Sequence, residues 1–291
     1  MPMRHPEVEA FFDPATHTVS YLAADPATGE AAVIDPVLDY DHASGRFRTD
    51  SATRLLEHAR AKGWRIAWIL ETHAHADHLS AAPWLKEKTG APVGIGERIR
   101  EVQAIFRPVF DATDVSGTGA EFDRLFADGD RFALGDLEAH VIHTPGHTPA
   151  CAAYLIGDAV FVGDTIFMPD YGTARTDFPG GDARTLYRSI RRLLALPGET
   201  RMFLCHDYLP DEGRSDYAWE TTVAEQRRAN IHVHDGVTED AFVAMREARD
   251  KTLPAPRLLL PSVQANIRAG HLPPPDENGI TYLKIPVKPA A

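Results

Sequence analysis

Short apolar runs separated by turn-forming residues recur along the chain, and they predict the strands of a mixed α/β protein. Runs rich in β-branched and aromatic residues and bounded by Gly, Pro, Asp or Asn are typical of strands. The turn-rich segment 25–29 joins two such runs and therefore predicts a β-hairpin. The predicted strands are 18–23, 30–34, 66–70, 131–134, 137–142, 151–156, 159–162 and 201–205.

Helical periodicity occurs between these strands and again after the last one. Apolar residues that recur every three to four positions are typical of an amphipathic helix. From 107 to 130 the pattern weakens into a stretch rich in Gly, Asp and Thr, which predicts an irregular excursion over the face that carries the functional site. A Pro-rich tail follows residue 251. The predicted helices are 51–62, 79–88, 183–196, 216–230 and 238–251.

The composition is that of an ordinary globular protein and argues against several kinds of partner. Of the 291 residues, 44% are hydrophobic and 25% are charged,. A formal charge of −12 argues against binding to DNA or RNA,. No apolar stretch reaches the length of a membrane span and no apolar signal core follows Met1, so we expect a cytoplasmic protein without a membrane partner,. Cys151 and Cys205 lie in apolar runs and are expected to be buried free thiols,.

Three histidines and an aspartate lie within a short segment directly after the predicted strand 66–70. In an extended chain, side chains two positions apart point to the same side, so His73 and His75 can address one ion. Asp77 and His78 lie beyond the bend and can face a neighbouring position. A solvated polar loop is the simpler interpretation, but it does not explain the metal-binding residue types that follow other predicted strands.

These further residues are His147, Asp164 and His206, and each comes shortly after an apolar run. In open α/β sheets, ligands bind beyond the carboxyl ends of the strands, so we expect all these side chains to meet at one place. The glycines beside His147 and Asp164 fit a close approach of the backbone. The sequence therefore predicts a metal site assembled from several strand ends.

The order and type of these residues resemble the metallo-β-lactamase superfamily. The resemblance rests on the motif His73-Ala74-His75-Ala76-Asp77-His78 together with His147, Asp164 and His206,. It implies an α/β (α+β) fold, the four-layer αββα sandwich, with the site between the edges of two sheets. It also implies a catalytic domain of this fold at residues 1–235, with a helical extension and tail at 236–291 packed on the same domain.

Three segments resemble the persulfide dioxygenase branch of this superfamily, a glyoxalase II-like group of iron enzymes. They are 174–178 (Ala-Arg-Thr-Asp-Phe), 206–208 (His-Asp-Tyr) and 261–270 near the end of the chain. The resemblance implies a glutathione persulfide dioxygenase that uses O2 to oxidise the persulfide sulfur to sulfite and releases glutathione, in sulfide detoxification. Ala269 stands where members of this branch often have a cysteine.

The same resemblance implies one Fe(II) per chain, held by His73, His147 and Asp164. Two histidines and one carboxylate on one face of the ion leave positions open for a sulfur ligand and O2. Iron is required because zinc does not change oxidation state. The remaining donors are expected to orient ligands and water by hydrogen bonds. In hydrolytic relatives they complete a second metal position, so two zinc ions are the alternative. These donors are His75, Asp77, His78 and His206.

Four residues are candidates for substrate binding. Arg175 can hold a carboxylate of the glutathione moiety through two parallel hydrogen bonds, although a salt bridge with Asp177 is the simpler role. Tyr208 can supply a phenolic hydrogen bond, or it can be an ordinary core tyrosine. Asn266 and Arg268 either reach back to the site or anchor the tail.

Two rival functions stay open at this point. One is a binuclear zinc thioester hydrolase of the glyoxalase II type, which acts on an acylated glutathione; the segment 174–178 argues against it. The other is a non-enzymatic persulfide or redox sensor, which has no evident need for an open metal coordination sphere. A homodimer is compatible with the sequence.

Overall fold

The computed structural model describes residues 5–210 and 212–287 of the chain. Within this part, fifteen strands and seven helices alternate along the sequence. The strands are β1 (Glu7–Asp13), β2 (Thr18–Ala24), β3 (Glu30–Ile34), β4 (Val37–Asp41), β5 (Arg46–Arg48), β6 (Arg65–Leu70), β7 (Leu79–Ser80), β8 (Val93–Gly96), β9 (Arg124–Phe126), β10 (Arg131–Leu134), β11 (Leu137–His143), β12 (Ala152–Ile156), β13 (Ala159–Phe161), β14 (Arg201–Phe203) and β15 (Glu220–Thr222). The helices are α1 (Asp50–Ala61), α2 (Ala82–Thr89), α3 (Ile99–Phe110), α4 (Ala183–Leu193), α5 (Val223–Ala229), α6 (Glu239–Asp250) and α7 (Leu259–Asn266).

Two six-stranded sheets form the centre of the molecule. The first has the order β1-β2-β3-β6-β8-β9 and the second the order β10-β11-β12-β13-β14-β15, while a small third sheet has the order β5-β4-β7. Neighbours from β3 to β9 in the first sheet run parallel, as do β13 and β14 in the second; the other pairs are antiparallel. The predicted hairpin of β2 and β3 is confirmed.

Alternation along the central strands builds a separate core on each face of each sheet. Successive side chains of a strand point to opposite faces. In β2, Tyr21 packs between the two sheets with Phe161, whereas Leu22 packs with the helices on the outer face of the first sheet. In β13, Val160 points the other way from Phe161 and joins the core under α4. Three apolar layers thus separate four layers of structure, and the expected αββα sandwich is confirmed.

Helix α4 shows how the outer layers follow from the sequence. Leu186, Ile190 and Leu193 recur at helical spacing and are buried on one face,. The helix begins after Asp182, whose carboxylate accepts a hydrogen bond from the N–H of Thr185 at 2.6 Å,. The polar residues of the opposite face remain exposed.

The helix predicted at 79–88 begins later than expected. Leu79 and Ser80 pair with β4 as strand β7, and α2 starts at Ala82. Pro83 occupies the first turn, where a missing N–H costs little,.

The helix predicted at 216–230 is also shorter, and a strand precedes it. Glu220–Thr222 forms β15 beside β14, and α5 begins only at Val223. The hydroxyl of Thr222 accepts a hydrogen bond from the N–H of Glu225 at 3.2 Å, which caps the helix at this residue,.

The C-terminal helices pack on both outer faces of the sandwich. Phe242 of α6 lies in the core with α4, and Val263 of α7 lies in the core on the first sheet. The boundary expected at residue 235 stays a prediction, and residues 1–4 and 288–291 of the two expected spans lie outside the described residues. Among the residues described, no helix is both long enough and apolar enough to cross a membrane.

Candidate metal centre

Four strand ends deliver the predicted metal-binding side chains to one edge of the sandwich. The loop after β6 carries His73 to His78, and the loop after β11 carries His147. Asp164 follows β13, and His206 follows β14. The two sheets join at this edge, since the N–H of Val19 donates to the carbonyl of Cys205 at 2.7 Å.

The donor atoms form adjoining groups around Asp164. His73, His147 and Asp164 have their ligand atoms within 4.8 Å of one another, and so do His75, Asp77 and His78. His147 Nε2 lies 3.6 Å from Asp164 Oδ2, and His206 Nε2 lies 3.2 Å from Asp164 Oδ1. His206 Nε2 also lies 3.4 Å from Asp77 Oδ2. Asp164 is therefore shared between the two sides of the centre.

Several nitrogen and oxygen atoms of this cluster are free to coordinate a cation. Five buried donor atoms have no hydrogen-bond partner among the described residues, and a buried polar atom without a partner is costly,. A metal ion would satisfy them, so the residues fit a metal. These atoms are His73 Nε2, His75 Nδ1, His78 Nε2, His206 Nε2 and Asp164 Oδ1.

Burial and neighbouring charges set the protonation of three donors in favour of metal binding. Desolvation lowers the pKa of His73 well below its usual range and that of His78 to about 4. Although burial opposes ionisation of Asp77, the neighbouring histidines His206 and His78 lower its pKa to about 2. At neutral pH these groups are a pair of neutral imidazoles and a carboxylate, the forms that coordinate cations.

In three of the five histidines, the ring nitrogen that faces away from the centre donates a hydrogen bond to a main-chain carbonyl. The Nδ1–H of His147 donates to the carbonyl of Arg175 at 2.8 Å, and that of His206 donates to the carbonyl of His17 at 3.0 Å. The Nδ1–H of His78 donates to the carbonyl of Leu79 at 3.0 Å. These contacts fix the tautomer that leaves Nε2 free to face the centre.

Asp35 supports the other two histidines and is a residue that the sequence analysis did not identify. It accepts hydrogen bonds from the N–H and the hydroxyl of Thr72 at 2.7 and 2.8 Å, and its Oδ1 lies 3.0 Å from His75 Nε2. The hydroxyl of Thr72 in turn lies 3.0 Å from His73 Nδ1. The sequence feature that could have identified Asp35 is its position directly after a buried strand, a feature it shares with Asp164.

Two glycines allow the loops to approach one another. Gly163 has φ +53°, and a Cβ there would lie 2.5 Å from Thr72 Oγ1. Gly146 has φ +142°, and a Cβ there would lie 2.3 Å from Leu186 Cα. The expected close approach beside Asp164 and His147 is therefore present, and any larger residue would push the donors apart.

A cavity of about 340 Å³ opens onto the centre. Asp77, His147 and Asp164 line it, together with Arg175, Tyr208 and the segment 253–258 before α7. No residue of the segment 107–130 lines it, so the expected excursion over this face is wrong. That segment ends α3 and forms β9 at the edge of the first sheet.

Arg175 and Tyr208 reach this cavity in different ways. The guanidinium of Arg175 forms two hydrogen bonds with Asp177, both 2.6 Å, and a third with the carbonyl of Pro254 at 2.7 Å. The simpler role considered for Arg175, a salt bridge with Asp177, is thus what the structure contains. The ring of Tyr208 stacks on His206 at 5.3 Å, and burial raises the pKa of its hydroxyl well above the usual range.

Asn266 and Arg268 do not line this cavity, and their contacts agree with anchoring, the other role considered for them. The amide of Asn266 donates to the carbonyls of His75 and His78 at 2.9 and 2.8 Å, and it accepts from the N–H of Ser80 at 2.9 Å. Arg268 forms two hydrogen bonds of 2.7 Å with Asp114. Asn266 therefore holds the histidine loop from behind, and Arg268 anchors the end of the chain.

The comparisons with known proteins agree with this geometry. The sequence matches the Lactamase_B family, the metallo-beta-lactamase superfamily, over residues 13–206. The chain belongs to the metallo-beta-lactamase superfamily and is an enzyme of that group, with a metal-binding site of histidines and aspartates. The expected superfamily is thereby confirmed.

Individual relatives carry different functional names. A probable metallo-hydrolase of Burkholderia pseudomallei (strain 1710b) is 56% identical over 96% of this chain and 98% of its own. Glyoxylase B2 of Dictyostelium discoideum is 47% identical over 97% of each chain. The mitochondrial persulfide dioxygenase ETHE1 of Homo sapiens is 29% identical over 89% of this chain and 87% of its own. A crystal structure of ETHE1 from Myxococcus xanthus has a TM-score of 0.72 and 32% identity, covering 91% of this chain and 100% of that one.

Proposed function

We propose that this chain is a glutathione persulfide dioxygenase with one Fe(II) held by His73, His147 and Asp164. The net reaction takes glutathione persulfide, O2 and water to glutathione and sulfite. The observation that carries the proposal is the meeting of His73, His147 and Asp164, with donor atoms within 4.8 Å of one another, where His147 and Asp164 line a cavity. This donor set is typical of non-haem iron oxygenases.

The segment that resembles the dioxygenase branch is built into this metal centre. Its residue Arg175 provides the carbonyl that accepts from His147, and the ring of Phe178 lies 5.8 Å from the His147 ring. The segment therefore forms the surroundings of a proposed iron ligand, which gives the sequence resemblance a physical basis. The likeness to ETHE1 proteins supports the same reaction.

The charges at the cavity suit a substrate with carboxylates, such as glutathione. Arg249 and Arg257 line the cavity, are exposed, and form no ion pair with the described residues. Because Arg175 is already paired with Asp177, these two guanidiniums are the better candidates to receive the substrate's carboxylates,. We therefore assign the binding of the substrate's carboxylates to Arg249 and Arg257, near α6 and α7, rather than to Arg175.

The protein's own residues bind, orient and shield the reacting end of the substrate. With its raised pKa, Tyr208 stays protonated at neutral pH and can donate its O–H toward the persulfide,. Phe167 and Tyr171 also line this cavity, and their apolar rings limit the entry of water,. Iron, when bound, supplies the redox chemistry with O2 that these side chains lack.

A binuclear hydrolase of the glyoxalase II type is the second candidate, and one observation favours it. The unpartnered atoms of His75, His78 and His206 can hold a second metal beside Asp164. The names of the metallo-hydrolase and glyoxylase relatives point the same way. In that case the substrate is a glutathione thioester and the metals are two zinc ions.

Metal analysis combined with two assays separates the candidates. Protein produced in iron-supplemented medium is expected to hold one iron per chain and to consume O2 with glutathione persulfide. His147→Ala is expected to abolish both, while His78→Ala keeps one metal per chain. Two metals in the parent protein, one in His78→Ala, and thioester cleavage without O2 uptake would establish the hydrolase instead.

A further inference from the structure

The orientation of His147 depends on a short segment outside the motif that carries it. The Nδ1–H of His147 donates to the carbonyl of Arg175, so the position of this peptide group sets the direction of the ring,. Residues 173–176 have only an isolated bridge between Thr173 and Ile166 and one backbone hydrogen bond, from Ala174 to the Thr165 carbonyl, and neither reaches the Arg175 carbonyl. Something else must therefore hold the Arg175 carbonyl in place.

A buried ion pair on α6 holds the segment on both sides of Arg175. Arg246 Nη1 donates to the carbonyl of Thr173 at 3.0 Å. Asp250 Oδ2 accepts from the N–H and the hydroxyl of Thr176 at 2.8 and 2.9 Å. The two side chains are joined to each other through Asp250 Oδ1, at 2.9 Å from Nε and 2.7 Å from Nη2 of Arg246.

This pair is unusual in its burial. Arg246 is 1% exposed and Asp250 is 5% exposed. Removing two charges from water is costly, and a buried pair often contributes less to stability than apolar residues of the same size. A hydrophobic contact at this place would stabilise the fold at least as well, so the hydrogen bonds that the pair makes to one particular segment are the better reason for its presence.

We propose that Arg246 and Asp250 are positioning residues for the metal centre. They hold residues 173–176 so that the Arg175 carbonyl orients His147 toward the ion. Metal affinity is then governed by α6, a helix that contributes no metal ligand. The inference goes beyond the proposed function, because it concerns metal binding and applies equally to an iron dioxygenase and a zinc hydrolase.

The test is the affinity of metal-free protein for Co(II) and Zn(II), measured by chelator competition without substrate. Asp250→Asn removes the charge and one acceptor while keeping the shape of the side chain. We expect an apparent Kd about tenfold higher or more, the range typical for residues that support metal ligands. The visible absorption bands of the Co(II) protein should also shift, because they report the geometry around the ion.

Glu239→Gln is the matched control on the same helix. Glu239 forms exposed ion pairs with Arg184 at 2.6 Å and Arg188 at 3.0 Å, and neither touches the segment 173–176. Glu239→Gln should leave the Kd within twofold of wild type and the Co(II) spectrum unchanged. A role in stability alone would lower the unfolding temperature of Asp250→Asn and leave both metal readouts unchanged, which overturns the proposal.

A second variant keeps the test decisive if Asp250→Asn does not fold. Replacing both charges, with Arg246→Met and Asp250→Leu together, avoids leaving one buried charge alone and preserves an apolar core. This double variant is expected to fold and to bind Co(II) about tenfold more weakly. If it folds and binds Co(II) like wild type, the pair does not position His147.

Discussion

The side-chain amide of Asn266 donates a hydrogen bond of 2.8 Å to the main-chain carbonyl of His78, across 188 positions of sequence. The same amide group also binds the carbonyl of His75 and the N–H of Ser80. All three partners are buried. The last helix therefore closes the rear of the loop that presents most of the metal donors.

Asn266→Ala should destabilise the protein and loosen this loop. It leaves two carbonyls and one N–H buried without partners, which we expect to cost about 3 kcal/mol in the free energy of unfolding. Urea denaturation of the metal-free protein measures this change. Asn278→Ala is the control, since Asn278 is exposed and its amide contacts only the Tyr282 hydroxyl and the N–H of Ile280 nearby in sequence; the unfolding free energy should change little. Equal midpoints for the two variants would contradict the proposed function of Asn266 as an anchor.

Arg249→Glu and Arg257→Glu should weaken the binding of a glutathione substrate without changing the chemistry. Reversing a charge that receives a carboxylate is expected to raise KM about tenfold, while kcat changes little. The effect should shrink at high salt, because both side chains are exposed,. Steady-state kinetics at two ionic strengths provides the measurement.

The control for these substitutions is Arg60→Glu on α1, an exposed arginine outside the cavity lining. It changes the net charge by the same amount. If Arg60→Glu raises KM as much as Arg257→Glu, the effect is one of overall charge and the cavity arginines do not bind substrate.

Gly163→Ala, beside Asp164 of the metal centre, should lower the free energy of unfolding more than Gly129→Ala does. The new methyl group would lie 2.5 Å from Thr72 Oγ1, at a backbone φ of +53° that disfavours side chains. We expect a loss of about 3 kcal/mol from strain and steric conflict together. Gly129→Ala has a φ of +82° but no atom within 4 Å of the added methyl, and should lose only about 1 kcal/mol,. Thermal unfolding of both variants distinguishes local crowding from backbone strain.

The two cysteines should be unreactive in the folded protein. Burial raises the pKa of Cys151 to about 12 and also raises that of Cys205, so neither thiol ionises near neutral pH,. Labelling with a disulfide reagent at pH 8 is expected to modify neither cysteine in native protein and both in urea. Rapid labelling of native protein would show that Cys205, beside His206, is more accessible than its burial indicates.

The strands that carry the metal donors were predictable because each is an apolar run that ends at a polar, chemistry-bearing residue. β6, β11, β13 and β14 all lie within a residue or two of their predicted bounds. Most of their residues are buried, so the apolar run is visible in the sequence itself. The donor set followed from residue type and from position after these strands.

Other elements were less visible in the sequence. Strands β4, β5 and β7 are two to five residues long and are held by pairing with one another. They are too short for a local sequence pattern to predict them. Helix α3 contains Pro108 and was not predicted, although Ile99, Val102 and Phe106 form a buried face. Long-range partners, rather than propensity, define these elements.

The supporting contacts of the metal centre were the least predictable part. Asp35, Arg246, Asp250 and Asn266 carry no metal-binding motif, and their partners lie far away in the sequence. For Arg175 the sequence left a substrate clamp and a salt bridge with Asp177 both open, and only the folded structure shows that Asp177 occupies its guanidinium. Local sequence shows which groups can bind, whereas the fold decides what they bind.

The placement of α6 and α7 at the far end of the chain also gives the metal centre an order of assembly during translation. Every proposed donor, from His73 to His206, is synthesised before α6 and α7, the helices that hold the donor loops. Because a domain folds as a unit, the donor loops gain these supports only once the last two helices are available. Metal capture by a fully oriented centre is therefore a late event, and a chain that stops before Glu239 carries all the ligands yet lacks the contacts of Arg246, Asp250 and Asn266 that support them.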